Sequence, residues 1–144
     1  MEKPRQAEGF TLIELMIVVA VIGILAMIAI PKMADLIRKG NEAATNGALG
    51  AVRSAIHIYF LDNDELYPSN IEVMLVPGNK YYRGGRPLAY TIQHGKSSVV
   101  NQLAALDPNA DTGDWGYVSS GTDRGDFWVE CLHTDMKAKV WSQY

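Results

Sequence analysis

Hydrophobic positions along the chain fall into two regimes. Phe10–Ile30 holds 18 apolar residues in 21, with only Thr11, Glu14 and Gly23 excepted. As a helix rising 1.5 Å per residue it spans about 30 Å, the thickness of a bilayer's hydrocarbon core. A helix apolar on every side belongs in lipid or among other helices. Past Pro31 the apolar residues narrow to one face. Ala44, Ala48, Ala51, Val52, Ala55, Ile56 and Tyr59 recur at helical spacing, while Glu42, Asn46, Arg53 and His57 form a polar stripe. This pattern predicts one long helix ending at Leu61 or Asp62. Residues 10–31 are its apolar half and 32–62 its amphipathic half, the latter locally weakened by Gly40, Gly47 and Gly50.

The remainder, 63–144, reads as a small globular head. Asp62-Asn63-Asp64 ends the helix, and Ser69-Asn70-Ile71-Glu72 is a capping-box pattern before a short helix near Ile71–Leu75. Strands are expected at Leu88–Ile92 and Ser97–Val100 about the turn Gln93–Lys96. Others are expected at Trp115–Ser119, Phe127–Leu132 and Lys137–Trp141, between Gly- and Asp-rich turns. The fold class is therefore α+β, a long N-terminal helix packed on a small C-terminal antiparallel sheet. About 80 residues bury little by themselves, so the amphipathic half of the helix has to supply a core layer.

Composition narrows the function. A formal net charge of -3 and a pI near 5.5 argue against charge-driven nucleic-acid binding. Lys80-Tyr81-Tyr82-Arg83-Gly84-Gly85-Arg86 interleaves cations with aromatics, but in an acidic chain it reads as a solvated loop. Cys131 is the single cysteine, which excludes an intrachain disulfide. Its alternation with Phe127 and Val129 makes it a packed thiol. His57 falls on the polar stripe, and His57, His94 and His133 lie in three different predicted elements. There is no G-x-S-x-G, H-E-x-x-H or P-loop, so the chain is not expected to be an enzyme. The start also differs from a secretory signal peptide: Lys3 and Arg5 are offset by Glu2 and Glu8, and Ala29-Ile30-Pro31-Lys32 is a poor cleavage site.

Glu14 is the informative exception within the apolar run, because a carboxylate there needs a neutralising partner. Two readings stand. In one, Thr11-Leu12-Ile13-Glu14 is a capping box in the positive first turn of the helix. In the other, Glu14 pairs with a cation of another chain. Gly23 and Pro31 likewise allow two readings. They bracket a stretch that kinks or melts, or Gly23 permits close helix contact while Pro31 bends an intact helix.

The string Gly9-Phe10-Thr11-Leu12-Ile13-Glu14-Leu15-Met16, continued by apolar residues through Ala26 and on to Pro31, resembles the N-terminus of type IV pilins and type II secretion pseudopilins. The resemblance implies a leader of residues 1–9 removed by a prepilin peptidase between Gly9 and Phe10. N-methylation of Phe10 follows, then homopolymerisation in which the new amine meets Glu14 of a neighbouring subunit. An α-amine with a reference pKa of about 7.7–8.0 is substantially cationic at neutral pH. The resemblance further implies single-pass storage in inner-membrane lipid, an assembly platform with a cytoplasmic ATPase, and an extracytoplasmic filament as the product. A monomeric membrane-anchored binding module is the alternative.

Pilus and secretion pseudopilus are less easily separated. The absent Cys pair departs from many type IVa pilins. Asp62-Asn63-Asp64-Glu65-Leu66-Tyr67-Pro68 and a C-terminal end with Asp135, Lys137, Lys139 and Trp141 resemble major pseudopilins. No cofactor is read from the residues themselves. Asp107–Asp114 is no EF-hand, since Gly113 is one place late and Val118 stands where a bidentate Glu belongs. Likeness to major pseudopilins makes Asp107, Asp111 and Asp114 candidate calcium ligands, against the reading of an ordinary polar turn.

Overall fold

A computed structural model describes residues 9–144; Glu2, Lys3, Arg5 and Glu8 of the expected leader lie outside the described residues. Helix α1 runs Leu12–Asp62 with Pro31 inside it. The chain divides into two compact units, one ending at Ile37 and the other covering Arg38–Tyr144. In the first, no described side chain is buried: Leu12, Met16, Ile24 and Ile30 all stand open to the surroundings. This segment is long and apolar enough to cross a membrane.

In the second unit α1 is a layer of the core. Glu42, Thr45, Leu49, Val52, Ala55 and Ile56 are buried along it, at the three- and four-residue steps of one helix face. The stripe is rotated from the expected one: Ala44 and Ala51 are exposed, and the supposedly solvated Glu42 is buried. The reason is tertiary. Met136 N–H donates to Glu42 Oε2 at 3.1 Å. Arg53 crosses to the head, with Nε on Phe127 O at 2.8 Å and a terminal nitrogen on Tyr144 O at 2.5 Å. Two residues of the polar stripe thus clamp the helix to the head, whereas His57 is exposed as expected.

Beyond α1, Asn70 caps a single 3-10 turn, Ile71–Val73, through its side chain on Glu72 N; the expected short helix shrinks to this turn. Strands β1 (Ala89–Thr91) and β2 (Gly95–Ser97) form an antiparallel pair. A separate three-stranded sheet has the order β3 (Val100–Leu103), β4 (Trp115–Val118), β5 (Phe127–Val129). Strand β4 pairs antiparallel with β5 but parallel with β3, so the sheet is mixed where an antiparallel one was expected. A parallel pair cannot be joined by a tight hairpin, which explains the length of the aspartate-rich connection 104–114.

The sheet and α1 share one core. Trp115 and Phe127 stack at 5.0 Å, and Trp115 Nε1 donates to Pro87 O at 3.0 Å. Tyr117 donates its hydroxyl to Pro68 O at 2.6 Å, and burial pushes that hydroxyl up to about 12, so it remains a donor. Gly116 has to be glycine, since a Cβ there would sit 2.5 Å from the Trp128 ring.

The strand expected at Lys137–Trp141 does not form. Asp135 Oδ1 accepts the N–H groups of Lys137 and Lys139, Ala138 adopts φ 62°, and only the bridge Thr134–Val140 remains before a 3-10 turn at Trp141–Gln143. Burial raises the Asp135 carboxyl, but the Tyr144 hydroxyl and the Lys139 and Lys137 N–H groups outweigh it and leave it below its ordinary value. A depressed carboxyl contributes stability that is present above the unfolded pKa and lost as pH falls through the folded one. Melting the full chain in detergent between pH 7 and pH 3 should therefore show Asp135→Asn to be less stable at neutrality, with a flatter acid limb than wild type.

Candidate functional site

The N-terminal end of α1 holds the residues singled out by the sequence. Thr11 is the N-cap: Glu14 N donates to its Oγ1 at 3.3 Å, while Thr11 N and Oγ1 donate to Glu14 Oε2 at 2.9 and 2.6 Å. Within one chain, then, Glu14 closes a capping box and satisfies donors that a helix start otherwise leaves unpaired. These donors are neutral, so the carboxylate's charge is uncompensated by them. Around it the surface is hydrophobic, with Phe10 79% and Leu12 82% exposed. Glu14 is the only charged residue between Phe10 and Pro31. Gly23 has open space where a Cβ would be, and α1 is helical through both Gly23 and Pro31.

Of the expected oxygen ligands in the head, the carboxylates take different partners. Asp107 caps its own turn through Asn109 N at 2.9 Å. Asp114 accepts from Ser97 and, at 3.4 Å, from Asn101, which also binds Glu130 at 2.7 Å. Asp111 turns instead to His94 Nε2 at 3.0 Å and His133 Nδ1 at 3.3 Å.

The Lys80–Arg86 segment is tied into the head. Lys80 pairs with Asp62 at 2.7 Å and Arg86 with Glu72. Tyr81 packs edge-on against Tyr59 at 5.1 Å, and both Tyr81 and Tyr82 lie against the core, so these rings serve packing. Sequence reasoning kept the three histidines apart. Folding leaves His57 exposed on α1 but brings His94 and His133 to a ring separation of 5.2 Å, beside Cys131. The short spacing Cys131-Leu132-His133 was the one visible trace of this cluster.

Comparison with known proteins agrees with the geometry of the N-terminus. Residues 4–30 match the family described as "Prokaryotic N-terminal methylation motif". The chain is 51% identical over 53 residues to the major component of the narrow type IV pilus of Thermus thermophilus, covering 37% of this chain and 46% of that protein. It is 50% identical over 58 residues to a type IV major fimbrial protein of Dichelobacter nodosus, 40% of this chain and 37% of that one. The chain thus spans less than half the length of these two relatives. Against the type II secretion system core protein G of Vibrio cholerae it is 31% identical over 127 residues, 85% of this chain and 86% of the other. No solved structure matches. A likeness that extends through nearly the whole of a relative, together with the methylation motif and a long helix packed on small sheets, places the chain: it belongs to the family of type IV pilins and type II secretion pseudopilins.

Proposed function

We propose that the chain is a structural subunit of an extracytoplasmic helical filament. It is inserted in the inner membrane as a prepilin, cleaved between Gly9 and Phe10, N-methylated at Phe10 and polymerised through the N-terminal helix. The observation that carries this reading is an apolar helical segment with no buried side chain whose one charged residue, Glu14, sits at its tip within the methylation motif. Lipid covers that surface before assembly and neighbouring copies cover it afterwards, so transfer from one to the other loses little hydrophobic energy. Cleavage places a cationic amine four residues before Glu14. In the polymer the amine of one subunit meets Glu14 of the next, and one charge per subunit then sets the register. Gly23 and Pro31 supply the place where the rod adjusts as it leaves lipid.

Within this class the secretion pseudopilus is favoured. The Vibrio relative, a secretion protein, matches 85% of this chain, whereas the two pilus relatives match 37% and 40%. The membrane platform, its ATPase and the prepilin peptidase are the partners this function needs.

Co-expression with a prepilin peptidase, followed by N-terminal sequencing and mass spectrometry, tests the first step. The expected product begins at methylated Phe10. Gly9→Val should leave the precursor uncut, because a branched side chain obstructs an extended backbone in a protease cleft. A wild-type chain that stays intact at Gly9-Phe10 under these conditions would leave the membrane-anchored monomer as the correct description.

A further inference from the structure

Four side chains that the filament reading does not use converge on one face of the head. His94 lies in the turn between β1 and β2, Asp111 in the connection to β4, and Cys131 and His133 just beyond β5. One donor atom from each lies within 4.8 Å of the other three. We infer that His94 Nε2, Asp111 Oδ1, Cys131 Sγ and His133 Nδ1 form a tetrahedral site for a borderline transition-metal ion, zinc.

The separations fit such an ion. Zinc bonds of about 2.0–2.1 Å to nitrogen and oxygen give tetrahedral edges of about 3.3–3.4 Å, and a bond of about 2.3 Å to sulfur gives sulfur–nitrogen edges of about 3.6 Å. Asp111 Oδ1 lies 3.3 Å from His133 Nδ1 and 3.0 Å from His94 Nε2, and Cys131 Sγ lies 3.6 Å from His133 Nδ1. The donor set of one thiolate, two imidazoles and one carboxylate suits zinc and is wrong for calcium or magnesium, which take oxygen ligands.

Neither a nucleophile relay nor a bare hydrogen-bond network accounts for the cluster. In a Cys-His-Asp relay, opposite ring nitrogens of the histidine face the thiol and the carboxylate. Here the same atom, His133 Nδ1, faces both, and Cys131 is fully buried. A hydrogen-bond network alone is oversubscribed. Asp111 Oδ1 already accepts Leu132 N–H at 3.0 Å, and two ring nitrogens then crowd the same oxygen. With the ring nitrogens as ligands of a central ion, Leu132 N–H becomes the outer hydrogen bond that orients the carboxylate.

The surroundings are built to allow the convergence. Gly113 has φ +78°, and a Cβ on it would lie 2.3 Å from His94 Cβ, so only glycine lets the histidine reach the cluster. Cys131 closes the inner side, while the side chains of His94, Asp111 and His133 are 23%, 33% and 41% exposed and give an ion a path in from solvent. An ion here would pin the β1–β2 turn, the 104–114 connection and the C-terminal segment to one another.

The full chain, purified in detergent, stripped with a chelator and titrated with zinc against a chromophoric competitor, should bind one equivalent per chain. At a hundredfold excess over its dissociation constant, zinc should raise the unfolding midpoint by roughly 10 °C. Cobalt substitution should give the visible bands of a tetrahedral centre and a thiolate-to-metal band in the near ultraviolet. Cys131→Ser should abolish the thiolate band, and Cys131→Ser and the half-exposed His133→Gln should each weaken zinc binding at least tenfold, with far-ultraviolet circular dichroism confirming the fold. The assignment is overturned if the folded wild-type chain takes up no stoichiometric zinc, if both variants bind it as tightly as wild type, or if millimolar calcium displaces it.

Discussion

A chain carrying Glu14→Gln should be inserted and cleaved normally, yet form fewer than a tenth of the wild-type filaments when it is the only subunit present. Negative-stain electron microscopy of sheared assemblies, alongside immunoblotting for the processed chain, measures both halves of that result. Glutamine retains an oxygen that can accept from Thr11 N and Oγ1, so the capping box at 2.9 and 2.6 Å need not be lost and the helix start survives. The variant removes only the negative charge. Coulomb attraction at fixed separation grows about fourfold when the effective dielectric falls from that of water to about 20, so an amine–carboxylate pair gains most where packed helices have displaced water. If Glu14→Gln alone polymerises as wild type does, hydrophobic contact is sufficient and the amine has no part in register. Glu14→Leu should abolish both charge and capping, so its difference from Glu14→Gln measures what the cap contributes.

The largest loss of stability in the head should come from Trp115→Ala. Trp115 is fully buried, stacks on Phe127 and donates its indole N–H to Pro87 O at 3.0 Å. Truncating a buried tryptophan costs about 3–5 kcal/mol. For a unit the size of Arg38–Tyr144 that is a fall of roughly 15–25 °C in the unfolding midpoint, read by near-ultraviolet circular dichroism of the full chain in detergent. Trp115→Phe keeps the ring but strands the Pro87 carbonyl without its donor, and should cost clearly less. Equal losses in the two variants would mean that the hydrogen bond, not the packed volume, dominates.

How far the residues announced this arrangement depended on the range of the forces involved. Strands β1, β4 and β5 and the end of α1 at Asp62 were legible because alternation and turn chemistry are local signals. The capping box at Thr11 and Glu14 was legible for the same reason. The place and direction of β3 were not: the strand expected at Ser97–Val100 meets it at Val100 alone, and Gly95 and Lys96, expected in the turn, belong to β2. Val100–Leu103 is four residues long, and nothing within them records that their partner on β4 runs parallel. Glu42 and Arg53 looked like surface residues because the groups that receive them, Met136 N and the main-chain oxygens of Phe127 and Tyr144, lie 74 to 94 positions away. Lys137–Trp141 carried a strand-like alternation, overridden by Asp135 gathering two nearby N–H groups. Of the His94, Asp111, Cys131 and His133 constellation only the Cys131–His133 spacing was local; the rest was hidden for the same reason as the Glu42 contact, since its members come from three separate segments.

The buried stripe from Glu42 to Ile56 has a practical corollary for anyone trimming this molecule to a soluble piece. A fragment begun at the first residue after α1 would discard Leu49, Val52 and Ile56, a whole wall of its own interior, and expose Trp115, Phe127 and Trp141 to solvent. A fragment that begins at Arg38 keeps the whole stripe, whose first buried residue is Glu42. The same wall forbids slippage: advancing the helix by one residue turns every side chain by about 100° and swings Val52 and Ile56 away from the sheet. Folding of the head therefore locks the rotational phase of residues 38–62.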